Sequence, residues 1–441
     1  MANYLGKKIV IVGLGKTGLS CVNFFISKKI FPKVIDTHNS PTLKSFIPKG
    51  ISCHFGSWNQ EWIISSDLII LSPGVDRFQT EIQLAYKKGI EIIGDVELFC
   101  RELKKDKKII SITGSNGKST TTCLLMEIAR KAGLKVGVGG NIGNPVLDLL
   151  RYDYDVYILE LSSFQLETTN TLQSYGAVIL NVSENHMDRY PLGMDQYISA
   201  KLKIYEFAKI CVVNVMDSTI WPIHRESHNR DYLSFGMNSG IYSLNTRKNI
   251  IQRYGETLIH TKSIKISGTH NYFNFLAALC LAEIINIPIR TSISVISKYR
   301  GLPHRLQVIH KKDGVTWIND SKSTNINSTI AAIKSIEKAR KIHLLLGGDR
   351  KMSKLSPLKR FICFREDIQI YCFGKDKLKF GKLKDNSIVL DTLKQCVLKV
   401  LEISKNGDVV LLSPACSSLD QFLNFEHRGE IFTKMVKNFC S

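Results

Sequence analysis

An apolar run that breaks at a glycine and restarts as a helix constrains this chain most: IISITGSNGKSTTT, residues 109–122. Ile109, Ile110 and Ile112 form the run, Gly114 ends it, and Gly117-Lys118-Ser119 opens the helical pattern TTTCLLMEIARKAG. Strand, glycine loop and helix is an arrangement that cradles nucleotide phosphates. Backbone N–H groups and the helix N-terminus face the anion, the lysine reaches the outer phosphates, and the serine hydroxyl can ligate Mg²⁺. The long form of such a loop has a glycine five residues before the second one, where this chain has Ile112. What remains is a shortened G-S-N-G-K-S, with Gly114, Ser115, Asn116, Gly117, Lys118, Ser119 and Thr120 as the phosphate candidates.

A second glycine loop lies at the N-terminus. Gly13, Gly15 and Gly18 spell G-x-G-x-x-G between the strand KKIVIVG and the helix LSCVNFFISKK, and Asp36 ends the next strand, 18 residues past Gly18. Alone, this is the dinucleotide fingerprint, with Asp36 meeting a ribose hydroxyl, and it points to an NAD-dependent oxidoreductase. That reading leaves the loop at 109–122 unexplained. A half-size unit of this kind can equally hold the diphosphate of another nucleotide, such as a UDP-sugar.

At 441 residues the chain is long enough for about three domains. Strands and helices alternate throughout, which predicts an α/β protein with mainly parallel sheets. Residues 1–96 read as a small Rossmann-like unit. Residues 97–301 carry the strands IISITG, VYILELS, GAVILNVS and KICVVNV with helices at 118–132, near 194–208 and at 271–285. GLPHRLQ marks a boundary, and 302–441 form a third, Rossmann-like α/β unit. It opens with a hairpin turning at Asp313-Gly314.

Hydrophobic residues make up 44% and charged residues 22%, as in soluble globular chains. No apolar run reaches the roughly 18 residues of a membrane span, and the N-terminus lacks a signal-peptide pattern. Eleven scattered cysteines without a Cys-x-x-Cys suit reduced thiols in a cytoplasm. The net charge of +21 comes from dispersed lysines with no aromatic-interleaved basic stripe, so it reads as compositional drift and not as a nucleic-acid interface. A nucleic-acid-stimulated ATPase would be the reading if that charge were functional.

Acidic candidates follow the apolar strands. Glu160 ends VYILE, where a carboxylate can hold Mg²⁺ beside phosphates, and Glu167 competes for that role. Glu184, His186, Asp188 and Arg189 share one loop after the strand GAVILN, in the region where α/β proteins collect ligand sites. Lys201 and Lys203 follow on a helix, and spacing alone makes both solvated surface.

Together these segments resemble the Mur ligases, ATP-dependent amide-forming enzymes of peptidoglycan precursor synthesis. TGSNGKST resembles their short phosphate loop, and GTHNYFNFLAA at 268–278 resembles their adenine-side segment. Folylpolyglutamate synthetases share the short loop but should lack an N-terminal UDP-binding unit. NDSKSTN at 319–325, LLLGGD at 344–349 and SPACSSLDQFLNFEHRG at 413–429 resemble the members that add D-glutamate.

The resemblance implies a cytoplasmic monomer that uses ATP and two Mg²⁺ ions to join D-glutamate to UDP-N-acetylmuramoyl-L-alanine. Asn271, Asn274 and Arg305 would join the loop in holding ATP. Ser119 and Glu160 would bind one Mg²⁺, and His186 and Lys201 the other, with Lys201 carrying CO₂ as a carbamate. Lys118, Lys201, His186 and Glu160 would form the catalytic set. Gly15, Lys16, Thr17, Asp36, Thr37, Ser72 and Gly74 would hold the UDP end of the substrate, and Asn141 would sit near its acyl group. Thr324, Lys351, Ser418 and Phe425 would hold D-glutamate, with Lys322 as a further phosphate or substrate contact. Two departures stand out: His38 replaces an arginine common near the uracil, and Arg350 replaces a frequent glycine in GGDRK.

Overall fold

Short runs of Ile, Val and Leu build the first sheet. Its central strands, Ile9–Val12 and Leu68–Leu71, are buried at every position, as strands covered on both faces must be. The strand order is Cys53–Phe55, Lys33–Asp36, Ile9–Val12, Leu68–Leu71, Glu91–Ile93, all parallel, which is the 3-2-1-4-5 order of a Rossmann unit. The computed structural model describes residues 4–39, 46–222, 231–336, 339–350 and 354–439.

The second sheet has nine strands. Val136–Gly140, Val156–Glu160, Lys108–Thr113, Gly176–Ile179, Ile210–Asn214, Asp231–Met237 and Tyr242–Asn245 run parallel, and Ile250–Arg253 and Glu256–His260 add an antiparallel edge. The strand Lys108–Thr113 has Val156–Glu160 on one side and Gly176–Ile179 on the other. Its two neighbours lie on opposite sides although they follow it in sequence, which makes its C-terminal end a crevice where α/β sheets bind ligands.

These two sheets belong to one compact unit, Met1–Val182, Leu192–Ile264 and Tyr272–Lys298. Side chains fasten one to the other. The Glu97 carboxylate accepts from the backbone N–H groups of Asn170 (2.7 Å) and Thr171 (2.8 Å), and the Ser20 hydroxyl donates to Asp148 at 3.0 Å.

The second unit comprises Ser183–Pro191, Lys265–Asn271 and Tyr299–Ser441. Its sheet runs Gln307–Lys312, Val315–Asn319, Val409–Leu412, Ile342–Gly347, Ile368–Phe373, Ile388–Val389, parallel apart from the opening hairpin. Asp313 and Gly314 make that hairpin turn, both at positive φ (50° and 73°), as the tight two-residue turn requires.

Strands unseen in the sequence have physical reasons for being so. Val136–Gly140 is glycine-rich because a Cβ at Gly137 would meet the Tyr154 ring at 2.6 Å and one at Gly139 the Asn144 carbonyl at 2.7 Å. The four strands between Asp231 and His260 carry polar residues at a sheet edge, so no apolar run announces them. The helix expected near 194–208 is an α-helix only over Met194–Leu202, with a 3₁₀ turn at Lys203–Tyr205.

Candidate functional site

The strand Lys108–Thr113 delivers the chain into the short loop at the crevice. Gly114 and Gly117 take φ values of 152° and 84°, and a Cβ on Gly117 would strike Asn274 Oδ1 at 2.2 Å. Glycine is therefore required twice in four residues. The helix Lys118–Lys131 starts directly from Gly117, with no side chain capping it. Its first-turn N–H groups have no intrahelical partners and present partial positive charge, which suits an anion.

The loop is held from outside. Asn181 Oδ1 accepts from the Asn116 N–H at 2.9 Å, its Nδ2 donates to the Asn116 carbonyl at 3.0 Å, and its own carbonyl accepts from the Ser115 N–H at 2.9 Å. The Ser115 hydroxyl lies 3.1 Å from the Tyr197 hydroxyl. Lys118 Nζ donates to the carbonyls of Gly114 (2.7 Å) and Ser115 (3.2 Å). Ser119 and Thr120 are buried at the start of the helix, and the Asn274 Oδ1 that faces Gly117 lies 3.5 Å from the Thr121 hydroxyl.

Glu160 is buried and stands opposite Ile112 in the neighbouring strand. Asn141 donates to its Oε1 at 2.7 Å and, through its backbone N–H, to its carbonyl at 2.7 Å. The other carboxylate oxygen, Oε2, is buried without a hydrogen-bond partner among the described residues. A buried carboxylate oxygen with nothing to accept from fits a cation ligand. Among the described residues no three His, Cys, Asp or Glu side chains form a metal cage. That is compatible with Mg²⁺, which commonly takes one or two protein oxygens and completes its shell with water and phosphate. Glu167 ends the short helix Ser163–Glu167, where its carbonyl receives Lys203 Nζ at 3.2 Å.

Lys201 corrects the reading from helical spacing, because it is 1% exposed and not solvated. Its Nζ donates to Gly114 O (3.2 Å) and Thr113 Oγ1 (3.3 Å) and lies 4.7 Å from the centre of the Tyr197 ring. Burial, reinforced by the charge of Lys118, holds its amine well below the ordinary lysine range, while Glu160 pulls the other way. Lys203 is half-buried as well.

At the N-terminal loop, Gly18 packs so closely that a Cβ would meet the Gly13 carbonyl at 2.0 Å, whereas Gly15 faces open space where the helix Lys16–Ser27 begins. Ser72 donates to the Gly13 carbonyl at 2.7 Å. Asp36 is buried, and its two oxygens accept from the backbone N–H groups of Leu14 (2.7 Å) and His38 (2.8 Å), so it stitches the glycine loop to the next strand. Lys16, Thr37, His38 and Gly74 are exposed and Thr17 is half-exposed around this loop.

Other predicted residues lie in the second unit. Glu184, His186 and Asp188 are exposed, Arg189 is half-buried, and His186 takes a left-handed backbone at φ 57°. Asn271 is buried and donates to the Ser267 carbonyl at 2.9 Å. Arg305 lies between His304 and Leu306, both at positive φ (62° and 43°), a conformation that side chains adopt at a cost of order 1 kcal/mol each. Such strain concentrates at functional and moving segments.

Lys322 Nζ sits 3.8 Å from the centre of the Phe425 ring, Thr324 is exposed and Ser418 is buried. The Arg350 N–H donates to Asp376 at 3.0 Å, and the loop before it bends at Gly347 and Gly348 (φ 156° and 128°). Lys351 lies outside the described residues.

Several organising residues escaped the sequence reading. Arg428 is fully buried and donates to Ser321 Oγ (2.9 Å), Ser321 O (2.8 Å) and Cys416 O (3.2 Å). Asp320 is buried and accepts from Ser323, Ser413 and the Leu306 N–H. Burial pushes its carboxyl up to about 6 against those hydrogen bonds. Asn181 lies two residues past a buried strand next to the loop strand, and Tyr197 precedes Lys201 by one helical turn. Those two placements were the available signals.

Comparison with known proteins agrees along the whole length. Residues 7–94 match the family description "Mur ligase MurD-like, N-terminal domain", residues 112–282 "Mur ligase middle domain" and residues 304–416 "Mur ligase, glutamate ligase domain". A UDP-N-acetylmuramoylalanine–D-glutamate ligase of Photorhabdus laumondii is 47% identical over 438 residues, covering 99% of each chain. One of Escherichia coli (strain K12) is 48% identical over 440 residues, again covering 99% of each. Among solved structures, a pseudomurein peptide ligase type C from Methanothermus fervidus has a TM-score of 0.63 at 18% identity, covering 98% of this chain and 100% of that one. A MurF ligase from Thermotoga maritima in complex with ADP has a TM-score of 0.63 at 18% identity, with both chains fully covered.

Proposed function

The chain belongs to the Mur ligase family, and from that membership we propose its reaction: ATP-dependent joining of D-glutamate to UDP-N-acetylmuramoyl-L-alanine, in peptidoglycan precursor synthesis. The observation that carries it is the identity of 47–48% over the full length to D-glutamate ligases. We assign residues 1–96 to holding the UDP end, 97–301 to ATP and 302–441 to D-glutamate.

ATP lies with its phosphates over the first turn of Lys118–Lys131. Lys118 leaves its carbonyl partners and follows the γ-phosphate, while Asn271, Asn274 and Arg305 hold the rest of the nucleotide. The L-alanyl carboxylate attacks the γ-phosphorus, the bond to the β-phosphate oxygen breaks, and ADP and an acyl phosphate result. Donors fixed at the phosphoryl oxygens supply the stabilisation this transfer needs. The D-glutamate amine then attacks the acyl carbon, and the tetrahedral intermediate expels phosphate to leave the amide. Thr324, Lys351, Ser418 and Phe425 present that amine, with Lys322 beside them.

We assign two Mg²⁺ ions to the reaction: Ser119 and Glu160 would hold one, and His186 with a carbamylated Lys201 the other, where they would supply charge neutralisation to the phosphates. The depressed basicity of Lys201 supports the carbamate. A neutral amine can attack the carbon of CO₂, forming an N–C bond, releasing its proton to solvent and leaving an anion. We further place the enzyme in the cytoplasm, as a monomer. No helix among the described residues is long and apolar enough to cross a membrane.

The test is isotopic. Substrate labelled with ¹⁸O in the L-alanyl carboxylate should deliver one labelled oxygen to inorganic phosphate during turnover. Unlabelled phosphate would contradict activation through an acyl phosphate.

A further inference from the structure

The short loop encloses only two residues, Ser115 and Asn116, between Gly114 and Gly117, where the long form encloses four. A longer loop can wrap a phosphate with its own N–H groups. Here the first two are already used: the Ser115 N–H donates to the Asn181 carbonyl at 2.9 Å and the Asn116 N–H to Asn181 Oδ1 at 2.9 Å. Asn181 Nδ2 closes the pair on the Asn116 carbonyl at 3.0 Å. One side chain thus pairs with both the N–H and the C=O of a single residue, as a neighbouring strand would.

We propose that Asn181 is a positioning residue for ATP: it clamps the Ser115–Asn116 segment, substitutes for the missing length of the loop, and aims the N–H groups of the first turn of Lys118–Lys131 at the nucleotide phosphates. This rests on the reading of the loop as the ATP site. It also divides the labour within the loop. Ser115 and Asn116 are anchored by Asn181, so the backbone contacts to phosphate come from Gly117 onward. Asn181 reaches the loop because Gly176–Ile179 pairs with the loop strand, Thr113 standing opposite Ile179. A side chain two residues further along is level with the turn.

The test uses the full-length enzyme and the variant Asn181→Asp, which keeps the size and the Oδ1 acceptor but sets a second acceptor against the Asn116 carbonyl. Loss of one such hydrogen bond should raise the KM for ATP and the Kd for ADP about tenfold. The KM for the UDP substrate and the melting temperature should stay near wild type, with kcat within about threefold. The Asn116 amide should exchange its hydrogen faster in the variant. Asn181→Ser, which cannot span both Asn116 groups, should behave the same way and serves if the aspartate variant does not fold.

An unchanged KM for ATP in a folded variant would overturn the proposal. So would parallel losses for both substrates that track melting temperature, because a merely structural side chain would give that pattern. Failure of the wild-type enzyme to bind ADP would instead reject the reading of the loop itself.

Discussion

Lys118 and Lys201 share an acceptor: the Gly114 carbonyl oxygen receives Lys118 Nζ at 2.7 Å and Lys201 Nζ at 3.2 Å. Two ammonium groups on one carbonyl repel each other, and the deeper of the two, Lys201, is the one whose basicity falls. Burial thus sets apart two lysines that meet on one oxygen.

Lys118→Met keeps the apolar stem of the side chain and removes the charge. We expect kcat to drop by about 10²-fold or more, since a group stabilising charge in the transition state is lost. Phosphate release followed under saturating substrates measures it. Turnover within a few-fold of wild type would remove Lys118 from the catalytic set.

Lys201→Ala should be inactive and regain part of its activity when acetate is added, because a small carboxylate can stand where the carbamate anion would. Full activity without additive would reject the carbamate, and so would a failure of acetate and formate alike to restore any.

Asp95 offers a pH test of stability. It is 2% exposed in the first turn of the helix Asp95–Glu102, both its carboxylate oxygens are buried without a hydrogen-bond partner among the described residues, and burial pushes its carboxyl from 3.8 up to about 6. The folded protein therefore keeps a proton that the unfolded chain releases. Its contribution to stability is best below about pH 4 and falls as pH rises through about 6. Asp95→Asn should be more stable than wild type by roughly 3 kcal/mol at pH 8 and no more stable near pH 4. Urea denaturation at both pH values measures this, and an equal difference at both would contradict it.

Arg428→Met removes the donors to the Ser321 and Cys416 carbonyls while preserving bulk. Buried acceptors left without partners should destabilise the second unit by roughly 3 kcal/mol. The KM for D-glutamate should rise too, because Ser321 leads directly into Lys322 and Thr324. Chemical denaturation and a glutamate titration check the two effects. No change in either would leave Arg428 without the organising role given to it.

Much of this was legible from spacing. The two glycine loops, the strands feeding them and the hairpin at Asp313-Gly314 announce themselves through apolar runs ended by residues that tolerate positive φ. Polar anchors were not legible. Asn181 and Arg428 act through neighbours 65 and 107 residues away in sequence, at Asn116 and Ser321, and no local pattern encodes such pairs. Lys201 shows a different limit: on a short helix, spacing cannot tell a buried lysine from a solvated one, and only the resemblance to a family singled it out. Asp36 shows a third. Its place in the fingerprint is legible, yet both its oxygens serve the backbone N–H groups of Leu14 and His38.

The most direct measurement is phosphate release from ATP with UDP-N-acetylmuramoyl-L-alanine present, comparing D-glutamate with L-glutamate, L-alanine and diaminopimelate. Release that depends on both the UDP substrate and D-glutamate, and on no other amino acid among these, is the predicted result. Release driven by another of the amino acids, or by none of them, would contradict it.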